Sequence, residues 1–346
     1  MRYPRFLQNG GRIGFIAPSF GCSSEPYDTR FTAALARFEE LGYTCVTGPN
    51  CRLDEGVGKS NTAEKCGAEI NDFFLNDRSD VILSCGGGET MCEDLDFVDF
   101  DAIKTAEPKW YMGYSDNTNL VFPLTTLCDT AAIYGPCAPS FGLTPQHEAL
   151  GDALALLRGE KLTMNSYGGW QADEALPEEL PPLQPYIINR PFKLRAFEGA
   201  RETDEDVSFS GRLIGGCIDC LKSLCGTRFD GAADFARRYA ADGTVWFMEA
   251  FSFSPMDMRR TLWQFENAGW FENAKGFLFG RPMTYGQEFM GLTHYQAALD
   301  ILGKYGVPIV MDLDIGHLPP MMPLISGSLA EVKIRGGGFK IQMNLK

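Results

Sequence analysis

The chain carries three histidines, His147, His294 and His317, so any imidazole chemistry falls to one of these. His147 stands beside Glu148 in TPQHEALGDALALLRGE, a segment expected to form a helix with Thr144 as cap and Pro145 at its first position. His294 follows Thr293 in Thr-His-Tyr-Gln, a capping-box pattern closed by Gln296. Both therefore read as surface residues at helix starts. His317 differs, because it follows the apolar run VPIVMDLDIG in a loop stiffened by Pro319, Pro320 and Pro323. A rigid loop leaving a strand end suits a general base, and a structural histidine is the alternative.

Nucleophiles are read the same way. Ser115 lies in Gly113-Tyr114-Ser115-Asp116, where an apolar strand meets a turn and a helix-compatible stretch. There, helix N–H groups favour developing negative charge. The pattern is similar to a nucleophile elbow without meeting G-x-S-x-G; otherwise Ser115 is an ordinary N-cap. Cys85-Gly86-Gly87-Gly88-Glu89 follows another strand, and its glycines let backbone N–H groups approach an oxyanion. It has neither the lysine of a phosphate-binding loop nor the G-x-G-x-x-G spacing. Cys85 is either a thiol nucleophile or a small buried side chain. Glu249 ends the apolar run VWFME, where a carboxylate either orients a histidine or begins a loop. Cys217 and Cys220 form one isolated C-x-x-C whose neighbours Ile218, Leu221 and Leu224 have helical packing spacing, so no metal site is expected.

The elements that must hold these residues alternate. GRIGFIAP, DVILSC and KWYMG read as buried strands, and the segments between them read as amphipathic helices. One has Phe31, Leu35, Phe38 and Leu41 on a stripe that stops at Gly42, and another begins with Ser60 as the expected cap. This alternation predicts an α/β fold with a parallel sheet covered on both faces, its sites at the carboxyl ends of the strands. The expected division is an N-terminal domain over 1–150, a connecting region with a long loop over 151–205, and a C-terminal α/β domain over 206–346. The stretch from Met164 to Glu205 is rich in proline, glutamate and aromatics and reads as loop. After it, GRLIGGCIDCLKSLCGT is expected to open on a glycine turn and become a helix. TVWFMEAFS reads as a strand, and SLAEVKIRGGGFKIQMN as a closing hairpin.

Composition limits the rest. The chain has 346 residues, 45% hydrophobic and 22% charged, an ordinary globular balance for about two domains. Its net charge of −14, without a basic run, excludes nucleic acid as a partner. No apolar stretch approaches membrane-spanning length, and eleven cysteines behind a start unlike a signal peptide are expected to be reduced thiols of a cytoplasmic protein.

The blocks PSFG, the Gly86–Gly88 loop, GYSDNT, GRLIGG…CGT, VWFMEAF…MRRTLWQF and DIGHLPPMMPL occur in the order seen in the LD-carboxypeptidase family of serine peptidases, which the chain resembles over nearly its whole length. That family includes murein tetrapeptide carboxypeptidases and the self-immunity peptidases that inactivate microcin C. The resemblance implies a Ser–Glu–His triad, here Ser115, Glu249 and His317. It also implies a flavodoxin-like N-terminal domain and a C-terminal α/β domain with the active site at their interface. It implies no metal and no organic cofactor, and commonly a homodimer. In that scheme His317 takes and returns the Ser115 proton, Glu249 fixes the imidazole tautomer, and the N–H groups of Gly87 and Asp116 form the oxyanion hole.

Three positions depart from the family pattern. Cys85 replaces an arginine common before the paired glycines, Cys217 replaces an asparagine, and Pro-Pro-Met-Met-Pro replaces an Asn-x-x-x-Pro stretch. The length and the insert around Trp170 are closer to the microcin immunity branch, in which an aromatic residue of this loop stacks on a nucleobase. Trp170 is the candidate for that role, with hydrophobic anchoring as the alternative. The expected reaction is hydrolysis of an amide near a free carboxyl end, in a small peptide or a peptidyl-nucleotide. A catalytically altered family member that binds small molecules or peptides, and an amidohydrolase using Cys85, are the competing readings.

Overall fold

A computed structural model describes residues 1–172 and 180–346. The chain divides into two compact units. The first comprises Met1–Lys161 with the described part of Asp173–Ile187, and the second Leu162–Ala172 with Ile188–Lys346.

The first unit contains strands β1 (Arg12–Ile16), β2 (Thr44–Thr47), β3 (Val81–Ser84), β4 (Trp110–Gly113) and β5 (Ala132–Tyr134). Its helices are α1 (Tyr27–Glu40), α2 (Ala63–Leu75), α3 (Phe100–Thr105), α4 (Thr118–Thr126) and α5 (Glu148–Leu157). The five strands lie in the order β5-β4-β3-β1-β2, all parallel. This is the doubly wound flavodoxin-like order, with its topological switch point between β1 and β3. β3 and β4 are buried along their whole length, which is why VILS and WYMG read as continuous apolar runs rather than alternating ones. The loops leaving β1, β3 and β4 hold Ser19, the glycines after Cys85, and Ser115.

The second unit contains β6 (Thr163–Asn165), β7 (Gly169–Trp170), β8 (Arg190–Pro191), β9 (Arg195–Glu198), β10 (Arg201–Thr203), β11 (Val207–Cys217), β12 (Thr244–Glu249), β13 (Ala274–Gly280), β14 (Glu288–Phe289), β15 (Leu292–Thr293), β16 (Pro308–Leu313), β17 (Leu324–Ser326), β18 (Leu329–Arg335) and β19 (Gly338–Asn344). Its helices are α6 (Ile218–Leu224), α7 (Ala232–Arg238), α8 (Pro255–Asn267) and α9 (His294–Leu302). A nine-stranded sheet runs β10-β9-β16-β13-β12-β11-β18-β19-β6. Its centre, β11, β12, β13 and β16, is parallel, and both flanks are antiparallel. The carboxyl ends of the parallel strands thus share one edge, where Cys217, Glu249 and the loop leading to His317 emerge. Trp246 of β12 stacks on Trp270, which stacks in turn on Phe265 of α8, at 5.5 and 4.2 Å between ring centroids.

Several local expectations are revised by tertiary contacts. Thr62, not Ser60, caps α2, because the Ser60 hydroxyl is taken by the carbonyl of Ala17. His147, not Thr144, caps α5, its Nδ1 accepting the Ala149 N–H at 3.2 Å. GRLIGGC forms no turn, since β11 runs unbroken for 11 residues between β12 and β18. The stretch read as loop from Met164 to Glu205 includes β6 to β10, and β9 and β10 extend the sheet beyond β16. The middle of that insert, 173–179, lies outside the described residues.

Candidate active site

In the first unit, the chain leaves β4 and turns through a short 3-10 segment, Ser115–Asn117, into α4. Ser115 has φ of 62°, a left-handed conformation that costs a non-glycine residue about 1 kcal/mol or more. Neighbouring groups hold it there. The Ser115 N–H donates to the Tyr134 hydroxyl at 3.1 Å. The buried Asp116 carboxylate accepts from Ser19 Oγ at 2.6 Å, Asn119 Nδ2 at 2.8 Å and the Met91 N–H at 3.0 Å. Burial nonetheless holds the Asp116 carboxyl above the usual carboxylate range. The Asn117 amide donates to the carbonyls of Gly86 and Tyr114 at 2.8 and 2.9 Å and so ties the glycine loop to the serine turn.

Gly87 is where that tie is closest. A Cβ on Gly87 would lie 3.0 Å from the Ser115 Cβ and 3.1 Å from its Oγ, so the glycine lets the loop backbone lie against the serine without crowding it. The Gly87 carbonyl accepts the Phe20 N–H at 2.8 Å. The Gly86–Gly88 loop and the Gly113–Asp116 turn, far apart in the sequence, are thereby brought together. Cys85 is in the same loop but buried, and loss of water pushes its thiol well up, opposite to what a thiolate nucleophile needs.

In the second unit, Glu249 and His317 meet at the sheet edge. His317 Nδ1 lies 2.8 Å from Glu249 Oε2, and Glu249 is buried at the end of β12. A carboxylate on Nδ1 makes Nε2 the ring nitrogen that exchanges a proton with a reacting group. Gly316 permits the contact. Its φ is 101°, and a Cβ there would stand 2.6 Å from Glu249 Oε2. The loop carrying His317 is braced below by Asp314, which is buried with Arg281 as its ion partner and accepts the Tyr167 N–H at 2.9 Å.

Trp170 sits in β7 and is 7% exposed. The Arg281 guanidinium lies 4.8 Å from its ring centroid, and Tyr285 meets it edge-on at 5.0 Å. His294, expected at the surface, is 5% exposed. The capping box of Thr293 and Gln296 is present, but Tyr295 and Tyr285 cover the ring at 3.9 and 5.6 Å. Sequence reasoning missed Ser19, Tyr134, Asn117 and Phe251, whose ring lies 4.7 Å from His317. Ser19, Asn117 and Phe251 lie inside the blocks PSFG, GYSDNT and VWFMEAF, whereas Tyr134 carried no signal. Among the described residues, no group of three or more His, Cys, Asp or Glu is arranged to hold a metal ion, and no helix is long and apolar enough to cross a membrane.

Comparison with known proteins gives a consistent result. Residues 13–135 match the model of the LD-carboxypeptidase N-terminal domain, and residues 210–332 match that of the LD-carboxypeptidase C-terminal domain. The microcin C7 self-immunity protein MccF of Escherichia coli is 25% identical over 328 residues, covering 93% of this chain and 90% of that protein. Among solved structures, an MccF-like protein from Bacillus anthracis superposes with a TM-score of 0.83 at 19% identity, with all of both chains covered. MccF in complex with aspartyl sulfamoyl adenosine superposes with a TM-score of 0.81 at 20% identity, over 99% of each chain. With both domain models matched in order and together spanning most of its length, the chain belongs to the LD-carboxypeptidase family.

Proposed function

We propose that the protein is a serine-type hydrolase that cleaves an amide near a free carboxyl end. Ser115 is the nucleophile, His317 its general base and Glu249 the residue that orients the base and stabilises the imidazolium it becomes. His317 Nε2 takes the Ser115 proton as Oγ attacks the carbonyl, then returns it to the leaving amine. Water repeats the cycle on the acyl-enzyme. The N–H groups of Gly87 and Asp116 hold the oxyanion, and losing one such donor costs about 3–4 kcal/mol in the barrier. The observation that carries this reading is the 2.8 Å bond between His317 Nδ1 and the buried Glu249 carboxylate. The strained, multiply tied turn at Ser115 supports it. The burial and raised pKa of Cys85 count against a thiol mechanism.

The substrate we favour is a peptidyl- or aminoacyl-nucleotide, because MccF has been solved with aspartyl sulfamoyl adenosine and with glutamyl sulfamoyl guanosine. A tetrapeptide with an L,D bond to a terminal D-alanine is the second substrate. Trp170 enters here as the candidate to stack on the base; its burial under Arg281 supports the anchoring role instead. All eleven cysteines are free thiols, which supports a reducing, cytoplasmic setting. Family membership supports a homodimer, which light scattering would read as twice the chain mass. The reading is tested by incubating the protein with each substrate and following release of aspartate or of D-alanine. Turnover of either is expected, and turnover of neither would contradict it. A Trp170→Ala variant should lose only nucleotide-amide turnover if the ring stacks, and should lose stability if it anchors.

A further inference from the structure

Asp219 is the second residue of α6, in its first turn after β11, and its carboxylate is spent on the neighbouring loop. Oδ1 accepts the Ser252 N–H at 2.8 Å and the Ser252 hydroxyl at 2.6 Å. Oδ2 accepts the Phe251 N–H at 3.1 Å and faces the Cys217 thiol at 3.5 Å. The segment so gripped, Ala250–Phe253, leaves β12 immediately after Glu249. Its ends are held by other contacts: the Ala250 carbonyl accepts the Met283 N–H at 3.1 Å, and the Phe253 carbonyl accepts the Thr284 hydroxyl at 2.9 Å. Asp219 fixes the middle. That middle carries Phe251, a 42% exposed phenyl ring whose centroid is 4.7 Å from that of His317, with the two planes inclined by 41°.

An exposed aromatic gains little from burial where it stands, so its orientation depends on the backbone beneath it. Two N–H donors and a hydroxyl converging on one carboxylate form charge-assisted bonds, the strong class of hydrogen bond. Glu249 holds the imidazole at Nδ1, and the phenyl ring packed against the imidazole adds a second contact that limits its tilt. We propose that Asp219 is a positioning residue for His317, acting through Phe251. The inference rests on the proposed function for its kinetic consequence only. The packing of Phe251 on the imidazole is a property of the substrate-free protein.

The test separates the two. With three histidines, imidazole ring-proton NMR signals can be assigned using a His317→Gln variant. The neighbouring phenyl ring gives the His317 signals a ring-current shift, which Phe251→Leu removes and Phe251→Tyr retains. Asp219→Asn leaves an acceptor for Ser252 but turns an NH2 toward the Phe251 N–H, releasing that residue. The expected result is that Asp219→Asn moves the His317 signals to where Phe251→Leu puts them. On a hydrolysed substrate, both variants should lower kcat about tenfold with KM within about twofold. Phe251→Leu, at an exposed position, keeps the test decisive if Asp219→Asn fails to fold. Signals of His317 that stay at their wild-type positions in Phe251→Leu, or in a folded Asp219→Asn protein, overturn the proposal. A moved signal in a protein that hydrolyses neither substrate upholds it while removing the proposed function.

Discussion

His317 and Glu249 depend on a residue that has no side chain. At φ of 101°, Gly316 occupies backbone space that disfavours other residues, and its Cα faces the carboxylate that holds the imidazole. Gly316→Ala therefore adds conformational strain and a methyl group 2.6 Å from Glu249 Oε2. The expected outcome is a loss of about 2 kcal/mol in urea unfolding, with the His317–Glu249 contact broken and turnover lost. Unchanged stability and turnover would show that the loop yields without consequence. At this scale Ser115, Glu249 and His317 stand out in the sequence as candidates because each ends or follows an apolar run, and the resemblance then groups them. Asp219 and Phe251 escaped notice because their importance lies in a contact between residues 32 positions apart. His294 misled for a related reason: its capping box was visible, and the tyrosine rings that bury it were not.

Between elements, the loops that leave β1 and β2 are tied together by Glu69 of α2. Its buried carboxylate accepts the Ala17 N–H after β1 at 2.8 Å and the Asn50 N–H after β2 at 2.9 Å. Burial pushes its pKa from 4.5 up to about 7, against the lowering effect of those bonds. The folded state therefore holds a proton that the unfolded chain releases near pH 4.5. The stability this group contributes is complete below that pH and declines as pH rises through about 7. Urea unfolding of wild type and Glu69→Gln across this range should show wild type losing on the order of 3 kcal/mol relative to the variant. A constant difference would mean that Glu69 keeps an ordinary pKa. The parallel alternation of this unit was readable because buried strands are uniformly apolar and their helices amphipathic. In the second unit the flanking strands β9 and β10 were not, because β9 takes its place by pairing with β16, more than a hundred residues later.

The whole molecule is strongly acidic, with a net charge of −14. An aminoacyl-nucleotide bearing carboxylate and phosphate-like groups approaches against that field, so local N–H donors rather than net charge must hold it. Raising salt from about 0.01 M to about 0.15 M shortens the screening length from about 30 Å to about 8 Å. KM for aspartyl sulfamoyl adenosine should fall over that range, while an uncharged amide shows no change; a rise in KM would indicate a basic subsite. The central claim concerns one oxygen atom. It is tested most directly by measuring hydrolysis of whichever amide the wild-type protein cleaves, with wild type and Ser115→Ala compared at matched folded content. The account predicts a loss of at least about 10³-fold in kcat with the fold intact. Hydrolysis by Ser115→Ala at the wild-type rate would contradict it.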